Sequence, residues 1–507
     1  MTCCRRTVTD RASTDSDPTP AKPSRNDVMR LCNIGDHHMS EATSITLSED
    51  AIQNLIDRFH GEIVLPEDEG YDDARAVWNG MIDKYPSIIA YCSGTADVIN
   101  AVNFARENEL PVAVRSGSHN VAGSAVCDNG IVIDLSEMNG VWVDPEEQTA
   151  WVQAGATLGD VDHETQAFGL ATPLGVVSDT GVAGLTLGGG IGHLRNKYGL
   201  SCDNITSVDV VTADGEYLTA SENENEELFW GIRGSGDAFG IVTGFEFDLH
   251  PVGPEVATGL VFYSGNRAGE VLRAFRDIEE SAPQELTTLV SIGVFPEEEL
   301  FSADVVDALK IAILGLYADS PAEGEMAIEP LRALDEPLAD FSGRMLYTEF
   351  QQLFDEDYPD GMRYYWKSLY LESLSDDVID RSLEWAKASP SPLSTVDVWP
   401  LGGAITDIGL DESAFPGREA PCLLGVEANW IDPDQDEANI TWARECLDDM
   451  RQFSDGSVYL NFPGFFEDSN EMMETTFGDA YDRIVALKTE YDPENVFRLN
   501  QNAKPAE

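Results

Sequence analysis

Basic side chains are scarce in this sequence. Its 507 residues include 31 Lys and Arg against 92 Asp and Glu, which gives a formal net charge of −61. Because nucleic-acid binding depends on cationic side chains that neutralise phosphates, this balance excludes a nucleic-acid partner. The acidic residues are spread along the whole chain, a pattern typical of a salt-rich cytoplasm, where counterions screen the self-repulsion. The composition therefore predicts a halophilic protein.

Long apolar runs are also missing. No stretch approaches the roughly 18 apolar residues that a membrane-spanning helix needs, so no membrane association is expected. Arg5 and Arg6 stand near the N-terminus, but no apolar segment of the kind found in secretion signals follows them. Together these absences predict a cytoplasmic protein.

Cysteines are few and show no repeated spacing. There are eight, and adjacent Cys3 and Cys4 form the single local cluster in the sequence. A disulfide framework or a zinc site would show cysteines at short, recurring intervals. Free, buried thiols in a reducing compartment are the simpler expectation, and no metal site is predicted.

A chain of 507 residues is too long to fold around one ordinary hydrophobic core, so two or more domains are expected. The first segment differs in composition from the rest, because residues 1–38 hold six Lys and Arg and five Asp and are close to neutral. Pro18, Pro20 and Pro23 interrupt it, as is typical of disordered chain. Residues 1–45 are therefore predicted to be a flexible leader, with Met39 as an alternative translation start.

Histidine is rare, with seven in the chain, yet one lies in a turn of small residues, VRSGSHN, at positions 114–120. A second stretch places six glycines between Gly181 and Gly192. Backbone without Cβ atoms can approach a ligand closely, and successive N–H groups can point at one anionic or carbonyl-rich group. Apolar residues interleave these glycines, unlike in a flexible linker, so a ligand cradle is favoured over an open loop.

The order of the predicted elements excludes a classical dinucleotide fold. The glycines of RGSGDAFG have the spacing G-x-G-x-x-x-G and stand between a helix and a strand. A dinucleotide-binding unit needs G-x-G-x-x-G after a strand and before a helix. Short strands and helices alternate from about residue 85. Between about 255 and 455, longer strand patterns with intervening helices predict an antiparallel sheet backed by helices, so the chain is assigned to the α+β class.

Several separate stretches carry a family likeness in a fixed order. They are VRSGSHNVAG, VIDLSEMNGVWVDP, ETQAFGLATPLGVVSDTGVAGLTLGGGIG, RNKYGLSCDN, LFWGIRGSGDAFGIVTGFEFDLHPVG and YDRIVALKTEYDPENVFRLNQN. Together they resemble the FAD-binding oxidoreductases of the vanillyl-alcohol oxidase and p-cresol methylhydroxylase (PCMH-type) fold, in particular the berberine bridge enzyme-like group. The likeness covers about residues 80–505. It implies an FAD-binding domain of two α/β subdomains at 80–254, a substrate-binding domain at 255–454, and a C-terminal segment, 455–507, that returns to the FAD-binding domain.

The resemblance implies one covalently bound FAD. In this family the histidine of the first turn is bonded to the 8α-methyl of the flavin ring, which here implies a link through His119. Some members form a second bond through a cysteine at the position of Val177, and valine cannot form it. The family usually has glycine where this chain has Ser118. The further residues implied to contact the cofactor are Arg115, Ser116, Gly117, Ser118, Asn120, Gly123, Thr180, Gly181, Gly184, Gly188, Gly189, Gly190, Gly192, Gly240, Ile241, Val242, Asn500 and Asn502.

The resemblance also implies the reaction. A hydride would pass from a small hydroxylated or amine substrate to flavin N5, and oxygen would reoxidise the flavin. Tyr459 in YLNF is the predicted proton acceptor, with Asn461 beside it. Two alternatives stay open: a dehydrogenase that uses another electron acceptor, and a flavin-binding protein without turnover. The predicted substrate contacts are Tyr365, Trp366, Lys367, Trp399 and Glu427, and Asp397 stands on the same group of strands.

Overall fold

The first apolar runs of the chain form a small sheet with a parallel core. In the computed structural model, which describes residues 47–236, 238–296, 301, 305–306, 308–465 and 469–506, four strands associate in the order β1-β2-β4-β3. They are β1 (Glu62–Val64), β2 (Ile88–Tyr91), β3 (Val112–Arg115) and β4 (Ile131–Asp134). β2, β4 and β3 run parallel, and β1 joins the edge antiparallel. The turn that contains His119 therefore begins at the carboxyl edge of this sheet.

A second sheet of five antiparallel strands follows in the order β5-β6-β10-β8-β9. Its strands are β5 (Val141–Asp144), β6 (Thr149–Gln153), β8 (Ile205–Val211), β9 (Tyr217–Ser221) and β10 (Ile241–Asp248), and a short separate pair joins β7 (Leu170–Ala171) to β11 (His250–Pro251). β5 and β6 form an antiparallel hairpin, and so do β8 and β9. The two sheets share a common hydrophobic core to which buried residues of both contribute.

Within the described residues, α-helices cover these sheets and the third sheet below. They are α1 (Glu49–Ile56), α2 (Tyr71–Ala74), α3 (Thr95–Glu107), α4 (Leu158–Gln166), α5 (Val182–Leu187), α6 (Arg195–Tyr198), α7 (Glu226–Ile232), α8 (Ala268–Glu279), α9 (Pro321–Arg332), α10 (Tyr347–Gln351), α11 (Asp376–Lys387), α12 (Asp436–Met450), α13 (Ser469–Phe477) and α14 (Tyr481–Tyr491). α4 begins with a capping box in which Thr157 and Asp160 each bond the other's backbone N–H. The apolar face of α12 is buried.

The third sheet has eight strands, all paired antiparallel, in the order β15-β12-β14-β13-β18-β19-β17, with β16 also paired to β12. The strands are β12 (Glu255–Ser264), β13 (Leu286–Gly293), β14 (Lys310–Tyr317), β15 (Ala339–Asp340), β16 (Gly343–Leu346), β17 (Arg363–Leu371), β18 (Thr395–Pro400) and β19 (Cys422–Trp430). α8, α9, α11 and α12 cover one face. The central strands β13, β14 and β19 are buried along their whole length. Their uncovered face is therefore buried against other protein and forms the roof of the cavity described below.

The C-terminal segment packs against the first part of the chain. Ile484 and Leu487 of α14 join the core of the first two sheets. The buried ammonium of Lys488 donates to the carbonyl of Ala238 at 2.9 Å and pairs with Asp492 at 2.7 Å. The chain thus returns, after the third sheet, to the core of the first two sheets.

The α+β class predicted from the sequence is confirmed, with two smaller sheets and a large antiparallel sheet backed by helices. The large sheet starts at Glu255. The segment 1–45, predicted to be a leader, lies outside the described residues. None of the described helices is long and apolar enough to cross a lipid bilayer.

Candidate active site

One large cavity lies under the third sheet and against the first two. Its empty space is about 1620 Å³, including the open mouth. Its lining comes from four parts of the chain: the turn after β3, the glycine-rich stretch with α5, the inner face of the third sheet, and the C-terminal segment. The predicted residues that line it are Ser116, Gly117, Ser118, His119, Asn120, Thr180, Gly181, Gly184, Gly240, Ile241, Val242, Trp366, Trp399, Glu427, Tyr459, Asn461 and Asn500.

The turn after β3 is held in a tight shape. Ser118 has a φ of +63°, in the left-handed region that favours glycine. The Ser116 hydroxyl donates to the carbonyl of Ala154 at 2.7 Å. A Cβ on Gly117 would lie 2.2 Å from the backbone nitrogen of Gly181, so the two glycine-containing turns touch backbone to backbone. The side chain of His119 follows directly and faces the cavity.

The position of Arg115 corrects its predicted role. Its guanidinium forms a buried ion pair with Asp134 of the neighbouring strand and also donates to the Tyr91 hydroxyl at 3.3 Å. Arg115 does not line the cavity. As the last residue of β3, it holds neighbouring strands together through this ion pair.

His119 has an unusual environment for a histidine. Its ring stacks on Trp78 with centroids 4.9 Å apart, and its Nδ1 lies 3.5 Å from the Thr180 hydroxyl. Desolvation lowers the pKa of His119 to about 4. The imidazole is therefore neutral at pH 7, the protonation state in which a ring nitrogen is a nucleophile.

The glycine-rich stretch divides into two parts with different roles. α5 runs through it, and Thr180, Gly181 and Gly184 face the cavity. A Cβ on Gly184 would meet no atom within 4 Å. The later glycines contact protein: a Cβ on Gly192 would lie 1.5 Å from the Leu174 carbonyl oxygen. Besides Arg115, the predicted cofactor contacts outside the lining of the main cavity are Gly123, Gly188, Gly189, Gly190, Gly192 and Asn502.

Tyr459 and Asn461 occupy the boundary between the cavity and the C-terminal segment. The Tyr459 hydroxyl accepts hydrogen bonds from the backbone N–H of Ile191 at 3.1 Å and from Asn461 Nδ2 at 2.9 Å. Asn461 Nδ2 also donates to the Leu185 carbonyl at 3.1 Å. Burial raises the pKa of Tyr459 to about 12, so the phenol keeps its proton at neutral pH.

The predicted substrate contacts on β17 point to opposite faces of the third sheet, because side chains alternate along a strand. Trp366 faces the cavity, where its indole N–H donates to Asn429 at 2.7 Å. Tyr365 and Lys367 are one residue away on either side and therefore point to the opposite face. The Tyr365 hydroxyl accepts from Arg444 Nε at 2.9 Å, and Lys367 Nζ lies beside Gly464. The geometry thus corrects their predicted role as substrate contacts, and both belong to the packing behind the sheet.

Two buried carboxyl groups face the cavity from neighbouring strands. In the β18-β19 pair, Asp397 lies opposite Gly425, and Glu427 is the next residue of β19 on the same face. Burial raises the pKa of Asp397 to about 7. Burial and then the charge of Asp397 raise the pKa of Glu427 well above its ordinary value. Burial therefore favours the protonated form of both carboxyl groups, and the two neighbours titrate as a pair.

Several lining residues were not found from the sequence. Trp78 stacks on His119, and Tyr358 donates its hydroxyl to Glu427 at 2.8 Å. Phe354 and Phe462 complete an aromatic wall. Tyr358 and Phe354 lie in the acidic loop 352–360. Aromatic residues in such an acidic loop are the local sequence feature that could have indicated a contribution to a buried site.

The lining suits a flavin dinucleotide. Gly184 and the adjoining turn offer backbone with no side chain in the way, and a neutral histidine stands in the wall. Apolar walls such as Leu187 and Ile241 suit a flat ring system. The residues in place to hold FAD are therefore the turn 116–120 with Thr180, Gly181 and Gly184, and the backbone at 240–242.

Comparison with known proteins assigns this arrangement to a family. The model of the FAD binding domain matches residues 86–221, and that of berberine and berberine-like proteins matches 458–504. An FAD-linked oxidoreductase of Dictyostelium discoideum is 33% identical over 433 residues, which cover 84% of this chain and 91% of the relative. The (R)-6-hydroxynicotine oxidase of Paenarthrobacter nicotinovorans is 30% identical over 463 residues, covering 88% and 97%.

Solved structures give the same assignment. That of 6-hydroxy-D-nicotine oxidase from Arthrobacter nicotinovorans has a TM-score of 0.79 at 28% identity and covers 88% of this chain and 98% of that one. A berberine bridge enzyme-like protein of Physcomitrella patens shares the fold, with a TM-score of 0.80 at 22% identity over 90% and 99% of the two chains. Since family models, full-length relatives and the fold agree, this chain belongs to the berberine bridge enzyme-like FAD-linked oxidoreductases.

Proposed function

We propose that this protein is an oxidase with a single covalent FAD link at His119, that it oxidises a small hydroxylated or amine substrate, and that oxygen takes the electrons. The bound flavin supplies the hydride-accepting chemistry. The observation that carries the proposal is the position of His119 in the wall of a glycine-lined cavity, where burial lowers the pKa of the imidazole to about 4. Val177 lines the same cavity and has no thiol for a second bond.

The tether is tested on the denatured chain. Wild-type protein precipitated with acid should keep the flavin absorbance and fluorescence in the pellet. Its mass should equal that of the chain plus one FAD less two hydrogens, because the new bond replaces a C–H bond of the flavin 8α-methyl and the N–H bond of the imidazole. His119→Ala should release the flavin into the supernatant while the fold, followed by circular dichroism, is retained. Flavin that stays with the His119→Ala pellet would refute the assignment of the tether.

Tyr459 is better suited to donate a hydrogen bond than to accept a proton. The Ile191 N–H and Asn461 Nδ2 both donate to its oxygen, and the Gly190 backbone also hydrogen-bonds to it. Its own O–H hydrogen is then available to a substrate oxygen or nitrogen. With a pKa of about 12 the phenol stays protonated through the neutral range. This division of roles replaces the prediction that Tyr459 is the base.

Asp397 is the proposed proton acceptor. It lines the cavity, burial raises its pKa to about 7, and Glu427, whose pKa is also raised, lies beside it. A base with a pKa near the working pH is the efficient choice for removing an O–H or N–H proton. Asp397→Asn keeps the shape and removes the basic form, so kcat should fall on the order of a hundredfold or more.

The rate at which oxygen reoxidises the reduced flavin distinguishes an oxidase from a dehydrogenase. After anaerobic reduction with dithionite, the flavin of an oxidase should recover its absorbance quickly when mixed with aerated buffer in a stopped-flow instrument. Reduced flavin that persists in air, yet is reoxidised by an artificial acceptor such as a quinone, would favour the dehydrogenase. The same experiment on wild type and Asp397→Asn should give equal reoxidation rates, because the substrate proton is not involved in that half-reaction.

The working environment is proposed to be a salt-rich cytoplasm. The net charge of −61 supports this setting, since counterions are needed to screen it. Five buried cysteines of the described chain, all free, suit a reducing compartment.

A further inference from the structure

The side chain of Asn79 bridges two parts of the chain that are far apart in the sequence. Its amide nitrogen donates to the carbonyl of Val121 at 2.7 Å and to the carbonyl of Tyr364 at 2.9 Å. Its amide oxygen accepts from the backbone N–H of Met81 at 3.0 Å and from that of Tyr364 at 3.2 Å. Asn79 is 0% exposed, so the four bonds lie inside the protein. Since a primary amide has two N–H donors and two acceptor positions, this one uses its full capacity.

One end of the bridge lies on the roof of the cavity. Tyr364 belongs to β17, which is the edge strand of the third sheet. An edge strand presents backbone groups that no further strand pairs, and Asn79 binds both the N–H and the carbonyl of Tyr364 as a neighbouring strand would. The Gly80 N–H continues along the same edge and donates to the carbonyl of Met362 at 2.8 Å. The segment that carries Asn79 is therefore docked on the end of the roof.

The other end of the bridge lies on the turn that carries the proposed tether. Val121 follows His119 by two residues and lines the cavity with it. The Ser116 hydroxyl, bonded to the backbone just after β6, fixes the start of the turn. Asn79 fixes its end, and Trp78, its neighbour in sequence, stacks on the ring of His119. The imidazole is thus held between two anchored points and against an indole.

The proposed bond to the flavin makes the position of this imidazole decisive. The new N–C bond replaces the imidazole N–H bond and one C–H bond of the 8α-methyl. Two protons leave, and the two electrons remain on the flavin until oxygen takes them and becomes hydrogen peroxide. Reacting atoms must be held about 3–3.5 Å apart in the right orientation, and a displacement of about 1 Å can cost on the order of a hundredfold in rate.

We propose that Asn79 is a positioning residue for the formation of the bond between His119 and the flavin. Its bridge to Val121 holds the turn, and with it the ring of His119, in the position from which the bond forms. The same bridge ties that position to the roof strand through Tyr364. The inference rests on the proposed function, in which His119 is the tether, and adds the residue that sets the geometry of the linking step.

The test measures the rate of bond formation separately from the binding of FAD. Full-length protein produced in riboflavin-starved cells is mixed with FAD in aerated buffer, and samples are precipitated with acid at intervals. Flavin in the pellet gives the covalent fraction, and flavin retained on gel filtration before the acid step gives total binding. Asn79→Ala should retain FAD as wild type does, but it should form the covalent bond on the order of a hundredfold more slowly.

Asn79→Asp keeps the size of the side chain and changes what it can donate. In its ionised form it can still accept from the N–H groups of Met81 and Tyr364, but it has no hydrogen for the carbonyl of Val121. It should therefore form the bond as slowly as Asn79→Ala does. If Asn79→Ala does not fold, this variant carries the test.

Two further measurements separate positioning from a general loss of structure. In His119→Ala no covalent bond can form, and adding Asn79→Ala to it should leave the Kd for FAD unchanged. Asn439→Ala is the matched control, because Asn439 is also 0% exposed and its amide donates to the carbonyl of Gln435 at 2.9 Å. It lies in α12, on the face of the third sheet away from the cavity, so its loss should lower stability and leave the rate of bond formation at the wild-type value.

The proposal is overturned if Asn79→Ala or Asn79→Asp forms the bond as fast as wild type. It is also overturned if Asn439→Ala slows the bond as much, or if the affinity for FAD in the double variant falls in proportion to the rate. Wild-type protein that binds FAD and never forms a covalent bond would instead refute the proposed tether, so the two failures are distinguishable.

Discussion

His119 stacks on Trp78, with ring centroids 4.9 Å apart and ring planes inclined by 16°. Trp78 in turn stacks on Tyr364 of β17 at 3.7 Å, and its indole N–H donates to the Tyr358 carbonyl at 2.8 Å. These contacts join the turn that carries the proposed flavin tether to the edge strand of the roof. The orientation of the imidazole therefore depends on the third sheet as well as on its own turn.

Replacing Trp78 should remove the stacking contacts that connect His119 to the third sheet. Trp78→Ala removes a buried ring and should lower the free energy of unfolding by about 3–5 kcal/mol. It should also lower the fraction of flavin that remains with the acid-denatured chain, because the imidazole loses the surface that orients it. Trp78→Phe keeps a stacking ring and should retain most of the covalent flavin. Equal covalent fractions in Trp78→Ala and wild type would show that the turn alone orients His119.

Local motifs allowed much of the site to be predicted. The turn with His119, the glycines that face the cavity and the segment with Tyr459 are each defined by a few consecutive residues, so a short pattern is enough to identify them. The α+β class followed in the same way from strand and helix periodicity. Sequence could not show which face of β17 meets the cavity, because a shift of one residue exchanges Trp366 with Tyr365 and Lys367.

Contacts between residues far apart in the sequence explain where the predicted site and the observed site differ. Trp78 precedes His119 by forty-one residues, and no local pattern indicates that the two rings touch. Arg115 was expected to contact the cofactor, but its guanidinium pairs with Asp134 on a strand that is adjacent only in the folded sheet. The pKa values of Tyr459 and Asp397 likewise depend on burial, which a sequence does not specify.

Ser118 offers a test of backbone strain in the turn. Its φ of +63° costs a residue with a Cβ about 1 kcal/mol more than it costs glycine. Ser118→Gly should therefore leave the free energy of unfolding unchanged or raise it by up to about 1 kcal/mol, with covalent flavin retained. Ser118→Val, with a branched side chain in the same conformation, should destabilise the protein and lower flavin incorporation. Thermal unfolding and the flavin absorbance of the purified protein measure both effects, and a destabilised Ser118→Gly would contradict the strain argument.

The pH profile of kcat/KM should follow Asp397. Because the ionised form accepts the substrate proton and its pKa is raised to about 7, activity should rise as pH increases through about 7 and then level off. Asp397→Asn should lower the rate and remove this rise of activity with pH, which forms the acidic limb of the profile. Tyr459→Phe should lower the rate but keep the limb, since a phenol with a pKa of about 12 does not titrate there. A limb that survives in Asp397→Asn and vanishes in Tyr459→Phe would restore tyrosine as the base.

Asp162 should make stability depend on pH. It is 3% exposed in α4, and burial raises its pKa to about 7, while Gln351 Nε2 donates to it at 3.2 Å. Between about pH 4 and pH 7 the folded chain holds a proton at this group that the unfolded chain has lost, so the free energy of unfolding falls as pH rises through that range. Asp162→Asn lacks this contribution. The stability difference, Asp162→Asn minus wild type, should increase by about 2–4 kcal/mol from pH 4 to pH 8 in urea titrations, and a constant difference would contradict the raised pKa.

Removing salt should unfold the protein. With a net charge of −61, self-repulsion is the dominant long-range term, and its range is set by the Debye length, about 3 Å at 1 M salt and about 30 Å at 0.01 M. At low salt most carboxylates therefore repel one another across the whole molecule, and the folded state should lose circular dichroism and flavin absorbance on dialysis. Sucrose at matched osmolality is the control, because it favours the compact state without screening charge and should protect less than KCl. If the protein keeps its spectra and activity at 0.01 M salt without any cosolute, the acidic composition does not reflect adaptation to a salt-rich cytoplasm.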